Sequence, residues 1–255
     1  MTIQKFEPAN TAAQPSRTTH PPLPPVATTE EGSPALPEYL VRIYSWAYLH
    51  PLGIRVFERQ WLVNWILWGN FRRLRNAALN EVSGEACSRV LQVACVYGDF
   101  SEHLLARLGP ASRLDVVDVA PAQLRNLSRK LAPSSKLYLH RQDSTRLKFD
   151  DDGFDTVVLF FLLHEQPAVA KRQSLAQALR VLKPGGRLVV VDYHKASRFN
   201  PVGHLMAPVF ATLEPFAAEL CEREIPDWAP ASAGARMLSK ETFFGGLYQK
   251  VVLTR

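Results

Sequence analysis

Apolar and polar positions in the middle of the chain switch repeatedly between a period of two and a period near 3.6. Val90 to Ala94 form a short apolar run of strand type, after which Phe100, Leu104 and Leu108 recur at helical spacing. A second apolar strand runs from Leu114 to Val117 and ends in Asp118. The helix that follows starts at Pro121, a good first-turn residue, and carries Leu124, Leu127 and Leu131 on one face. Lys136 to His140 read as a third strand. Asp155 to Phe161 give a continuous apolar run, as expected of a strand buried on both faces. A helix over about 168–182 then leads through the turn signal Leu182-Lys183-Pro184-Gly185-Gly186 into a strand at Leu188–Asp192. Two β-like runs, Ala235–Phe244 and Leu247–Thr254, joined by Gly245-Gly246, close the chain as a hairpin. Alternating strands and helices predict an α/β fold around a mostly parallel sheet.

The flanks break this rhythm. Residues 1–36 are rich in Pro, Thr and Ala around Pro21-Pro22-Leu23-Pro24-Pro25, and a disordered tail is expected there. That stretch lacks an apolar core and sets Glu7, Glu30 and Glu31 against Lys5 and Arg17, which fits neither a secretory signal nor an Arg-rich transit segment. Residues 37–87 change character abruptly and hold four of the five tryptophans. Phe57, Trp61, Trp65 and Trp68 share one helical face, while Leu62, Val63, Ile66 and Leu67 make the remainder apolar too. A helix apolar all round must be covered by protein or by lipid. The segment therefore reads either as a lid packed on the sheet or as a wall for a lipophilic substrate that also touches a membrane interface. Arg72, Arg73 and Arg75 follow as a cationic step. Within a helical insertion at 200–230, Leu205, Val209, Leu213, Phe216, Ala217 and Leu220 follow helical spacing, and Pro208 and Pro215 predict kinks or a break.

Candidate chemistry gathers at the strand ends. A strand, a glycine turn at Gly98-Asp99 and a helix aim backbone N–H groups at a ligand, although Cys95, Val96 and Tyr97 stand where such turns usually carry further glycines. Asp118, twenty residues beyond Gly98, is where a Rossmann-like sheet grips ribose hydroxyls. Asp143-Ser144 follow the third strand, placed to meet an adenine amino group, and His164-Glu165 leave the fourth. In this order the motifs resemble the class I S-adenosylmethionine-dependent methyltransferases. That resemblance implies a Rossmann-like, seven-stranded, mostly parallel sheet with an antiparallel C-terminal hairpin, preceded here by the aromatic-rich lid, with residues 88–255 as the cofactor-binding domain.

The core from about Arg89 to Tyr193 is similar to the quinone-ring methyltransferases of ubiquinone and menaquinone biosynthesis, through Phe154-Asp155 and Leu182-Lys183-Pro184-Gly185-Gly186. It departs from them at Gln92, where those enzymes place an acid, and at Cys95-Val96-Tyr97. Those departures, the Trp-rich lead and the ending Phe243-Phe244-Gly245-Gly246-Leu247-Tyr248-Gln249-Lys250 resemble the rhodoquinone biosynthesis family. The resemblance implies replacement of a ring methoxy group of ubiquinone by an amino group, with S-adenosylmethionine as amino donor and a divalent metal, manganese. It implies cofactor contacts from Gln92, Ala94, Cys95, Gly98, Asp118, Val119, Asp143, Ser144 and Phe160. Attack by an amine needs the nitrogen uncharged, so a base is required. His164 and Glu165 are the candidates for base or metal ligand, and Tyr97 is a candidate donor to the quinone oxygen. Asp192 and His194 are weaker metal candidates. Cys95 reads better as a small packed residue than as a nucleophile.

Composition narrows the alternatives. The 255 residues, 47% of them hydrophobic, suit one domain with a large core. Cys87, Cys95 and Cys221 form no C-x-x-C pair, which points to a reducing, cytoplasmic setting without disulfides. No run of about 18 uncharged apolar residues occurs, so contact with the inner membrane would be peripheral. A net charge of +6 alone selects no partner, and without a dense Lys/Arg surface nucleic acid is not expected. Two alternatives stay open: a conventional methyltransferase on a lipophilic quinone or phenol, and a non-catalytic binding subunit on the same fold.

Overall fold

The computed structural model describes residues 34–82, 88–212 and 214–255. Most of the expected tail (residues 1–33), as well as Cys87 and Leu213, lies outside the described residues.

The lead is a chain of short helices: α1 (Glu38–Ile43), α2 (Ser45–Tyr48), α3 (Pro51–Phe57), α4 (Gln60–Ile66) and α5 (Phe71–Leu79). The alternating core follows as β1 (Arg89–Val93), α6 (Phe100–Arg107), β2 (Arg113–Asp118), α7 (Pro121–Lys130), β3 (Leu137–Arg141), β4 (Phe154–Phe160), α8 (Ala168–Val181) and β5 (Leu182–Tyr193). The insertion forms α9 (Pro201–Thr212), α10 (Ala217–Cys221) and α11 (Ile225–Trp228), and the hairpin β6 (Arg236–Phe243) and β7 (Tyr248–Thr254) ends the chain. All seven strands join one sheet in the order β3-β2-β1-β4-β5-β7-β6, parallel except where β7 runs antiparallel between β5 and β6.

Alternation along the strands divides the core in two. Val158 and Phe160 of β4 face the layer built by α5, α6 and α7, whereas Val157 and Leu159 face α8 and α11. The strand order reverses beside β1 and β4, the place where open α/β sheets leave a crevice at the carboxyl ends of their strands.

Several elements differ from the sequence expectation. Phe57 and Trp61 do not share a helix, because α3 ends at Phe57 and Arg59 restarts the chain in extended conformation. Trp68 (φ 52°) and Gly69 (φ 78°) turn left-handed, ending α4 and releasing α5. Helix α5 is core rather than lid, with Phe71, Leu74, Ala78 and Leu79 fully buried against the sheet. The insertion breaks at Pro215 as expected, while Pro208 is accommodated inside α9. The Lys183–Gly186 turn survives as a bulge within β5: Phe154 pairs with Leu182 and Thr156 already with Arg187.

Candidate functional site

A large cavity opens at the carboxyl ends of β1, β2, β3 and β4, with about 1230 Å³ of empty space counting its mouth. Ala94, Cys95, Tyr97, Asp118, Val119, Asp143, Ser144, Phe160, His164 and Glu165 all line it. Gln92 and Gly98 do not. Gln92 is fully buried and donates from Nε2 to the Ala94 carbonyl at 2.9 Å, while its Oε1 is buried without a partner. Gly98 is left-handed (φ 80°) and packs under the Phe71 ring, where a Cβ would meet the ring at 3.0 Å.

The turn after β1 is built unlike a glycine cradle. Its first left-handed position is Ala94 (φ 72°), so an alanine carries the strain that a glycine would avoid. Tyr97 lies between Tyr48 and Phe57, with ring centroids 5.5 and 5.9 Å away. Its hydroxyl donates to the Ala47 carbonyl at 2.6 Å and accepts from Gln123 Nε2 at 2.7 Å. That proton points to the lead, whereas the sequence makes Tyr97 a candidate donor to a substrate oxygen. Lys130 adds a second tie, bonding the Gly98 carbonyl at 2.7 Å and the Glu58 carboxylate. The Cys-Val-Tyr substitution thus fastens the lead over the cavity.

The nucleoside edge is polar and pre-set. Asp118 accepts the Cys95 and Ala120 N–H groups, each at 2.8 Å. Burial pushes its carboxyl up to about 6 against those bonds. Asp143 accepts from the Thr145 amide and hydroxyl, and Ser144 meets Gln166 and Ser174. Burial and the Asp118 carboxylate push the Cys95 thiol well above its usual range, which favours the protonated thiol.

Opposite this edge stands a proton-handling cluster. His164 Nδ1 is 2.8 Å from Asp192 Oδ1, and its Nε2 lies 3.7 Å from Glu165 Oε1 and 3.9 Å from Glu214 Oε2. Burial disfavours the imidazolium, but the three carboxylates outweigh it, Asp192 first, and lift His164 to about 9. Burial raises Glu165 to about 8 and also raises Glu214. Tyr48 donates to Glu165 and Tyr44 donates to Glu214 at 2.9 Å, so the lead supplies a hydroxyl to each carboxylate. Sequence reasoning missed Tyr44, Tyr48 and Glu214. The available signal was Glu214 itself, an acid ending an otherwise uncharged stretch from Pro201. His194, by contrast, bonds the Gly246 carbonyl and Lys240 outside the cavity.

The cavity lining carries four carboxylates (Asp118, Asp143, Glu165, Glu214) and one imidazole, with neither Lys nor Arg. Among the described residues, no group of three or more His, Cys, Asp or Glu side chains is arranged to hold a metal ion.

Residues 90–186 match the family described as a methyltransferase domain. The ubiquinone/menaquinone biosynthesis C-methyltransferase UbiE of Ectopseudomonas mendocina (strain ymp) is 29% identical over 184 residues, 69% of this chain and 69% of that protein. The same enzyme of Pseudomonas fluorescens (strain Pf0-1) is 31% identical over 153 residues, covering 58% of this chain and 57% of its own length. The demethylmenaquinone methyltransferase of Clavibacter sepedonicus is 34% identical over 125 residues, 49% of each chain. The chain therefore spans only about half to two thirds of the length of these relatives. Among solved structures, mitomycin 7-O-methyltransferase MmcR superposes with a TM-score of 0.60 at 16% identity, over 83% of this chain and 60% of that one. N-methyltransferase NodS from Bradyrhizobium japonicum WM9 gives 0.53 at 18%, over 72% and 96%. At these identities the likeness is one of fold. Residues 90–186 thus match a methyltransferase domain, and the chain has the Rossmann-like fold that these methyltransferase structures share.

Proposed function

We propose that the cavity holds S-adenosylmethionine beside a lipophilic quinone, and that the chain replaces a ubiquinone methoxy group by an amino group to give rhodoquinone. The observation that carries this reading is the rebuilt turn after β1, where left-handed Ala94 and lead-bound Tyr97 replace a glycine cradle while Asp118 and Asp143 keep the nucleoside edge. The acidic lining fits a cofactor bearing a sulfonium and an ammonium. Gln92, kept out of the cavity, offers no charge to fix that ammonium in the methyl-transfer pose.

When bound, the cofactor would supply the nitrogen through its amino group: the ring–N bond would form as methanol leaves, and the cofactor's Cα–N bond would then break with its electron pair passing to the quinone ring and a water oxygen replacing nitrogen on that carbon. Asp118 would accept from the ribose hydroxyls, and Asp143 and Ser144 would meet the adenine. Glu165 would take the proton that the ammonium must lose, and His164, held by Asp192, would return a proton to the departing methoxy oxygen. A hydrogen-bond donor such as the His164 imidazolium would polarise the quinone carbonyl. A lipophilic substrate also places the protein against the inner membrane, from its cytoplasmic side.

A second reading, a conventional C-methyltransferase of quinone biosynthesis, is favoured by the relatives' own activities. Incubation with ubiquinone and S-adenosylmethionine, followed by mass analysis of the quinone, separates the two. A product with one methoxy replaced by an amine supports the proposal. Turnover only of a demethylated quinone, with a methyl gained, supports the alternative.

A further inference from the structure

Helix α4 has apolar residues on both sides. Val63 and Ile66 face the cavity, while Trp61 and Trp65 point outward, 64% and 73% exposed. Leu52 and Val56 of α3 are exposed beside them. The patch continues onto α9, because the Trp68 indole N–H meets Met206 Sδ at 3.4 Å. That helix carries no Lys, Arg, Asp or Glu and exposes Leu205, and Phe199 just before it is 80% exposed.

Charge around the patch has one sign. Arg55, Arg59, Arg72 and Arg73 are exposed along the lead, and Arg198 is exposed next to Phe199. Glu58, the one acid between Ser45 and Asn80, is turned inward onto Lys130 and Asn126. Exposed tryptophans fringed by arginines match the interfacial zone of a bilayer, where indole rings seat at headgroup level and guanidinium groups meet anionic lipid. None of the described helices is long and apolar enough to cross a membrane, so the contact would lie in the interface plane.

We propose that the outward face of α3–α4 and the adjoining end of α9 dock on an anionic phospholipid surface, with α4 as the wall between lipid and cavity. The proposal deepens the quinone reading, since it brings the cavity wall to the phase in which a prenylated quinone dissolves.

The test uses the full chain and quinone-free vesicles, so it does not depend on turnover. Co-flotation is measured with phosphatidylcholine vesicles and with vesicles that also contain phosphatidylglycerol. Binding should be strong only to the anionic vesicles. Trp61→Ala/Trp65→Ala should lower the partition roughly tenfold. Arg55→Gln/Arg59→Gln/Arg72→Gln should lower it by about fivefold per charge on the anionic vesicles. Neither variant touches the cavity lining, and unchanged circular dichroism and melting would show both folded. Three results would overturn the proposal: no flotation with either vesicle, wild-type flotation of the tryptophan variant, or a self-association in solution that the tryptophan variant abolishes. Amino transfer could still be demonstrated in detergent if docking failed, and docking could stand if amino transfer failed.

Discussion

His164 Nδ1 lies 2.8 Å from Asp192 Oδ1, and the other oxygen of that carboxylate accepts the Leu163 N–H at the same distance. One buried acid therefore fixes both the ring and the backbone that presents it. Asp192→Asn keeps the backbone acceptor but removes the charge that supports the imidazolium. The alkaline limb of the pH–rate profile, set by His164 near 9, should move down by at least one unit, with a loss of about tenfold to a hundredfold in kcat. A profile unchanged in position would remove His164 from proton transfer.

Glu165 sets the other limb. Raised to about 8 by burial, it is largely protonated at neutral pH, so a rate that needs its carboxylate rises as pH approaches 8. Glu165→Gln should abolish that limb and cost about a hundredfold or more. Glu214→Gln removes a neighbouring negative charge that helps hold the Glu165 proton, and should move the limb to lower pH with a smaller loss of rate. This split between position and height would mark Glu214 as a positioning residue.

The same shifts fix the sign of the pH dependence of stability. His164, Glu165 and Asp118 all bind protons more tightly in the folded state than at their ordinary values of 6.5, 4.5 and 3.8. Their contributions are complete below those ordinary values. They are lost as pH rises through about 6 for Asp118, 8 for Glu165 and 9 for His164. The thermal midpoint should thus fall between pH 5 and pH 9, and Glu165→Gln should flatten the upper part of that slope. A midpoint rising across this window would contradict the cluster as described.

Tyr97 is bonded to the lead through Ala47 and to Gln123. Tyr97→Phe removes the bonds to Ala47 and Gln123 and should cost about 1–2 kcal/mol of stability. Faster proteolysis between α2 and α4 should accompany that loss, while the substrate-saturated rate falls only a few-fold. A large loss of rate with no change in proteolysis would restore the donor role.

Ala94→Gly tests the rebuilt turn from the opposite side. Relief of a left-handed alanine outweighs the extra freedom of glycine in the unfolded chain, so chemical denaturation should show a gain of about 0.5–1 kcal/mol. A destabilised variant would mean that the turn is held by something other than its present geometry.

The sheet was legible because its signals are local. Each strand is an apolar run of the right length, and each carboxyl end carries its polar residue: Asp118, Asp143, and His164 with Glu165. Both edges of the cavity could be read from those positions. The lead was harder, since the face shared by Phe57 and Trp61 exists only if one helix spans both, and the chain breaks at Glu58-Arg59, where Glu58 is bonded to Lys130, 72 residues away. Membership of α5 in the core was equally hidden, because its arginines suggested a surface step while its burial depends on the sheet beneath. Tyr48 meets Glu165 and Tyr44 meets Glu214 only through tertiary packing across more than a hundred residues of chain, and Glu214 nears His164 across a further break in the insertion. Nor can spacing show that Tyr97 is spent on a backbone carbonyl.

The central claim is that the cavity turns the amino group, not the sulfonium methyl, of its cofactor toward a quinone. Turnover of ubiquinone with S-adenosylmethionine carrying one isotope on the amino nitrogen and another on the methyl carbon tests it most directly. Nitrogen label in the quinone product, with the methyl label absent, is the predicted result. Methyl label in the product, with the nitrogen label left behind, would contradict the account and leave a methyl-transferring enzyme.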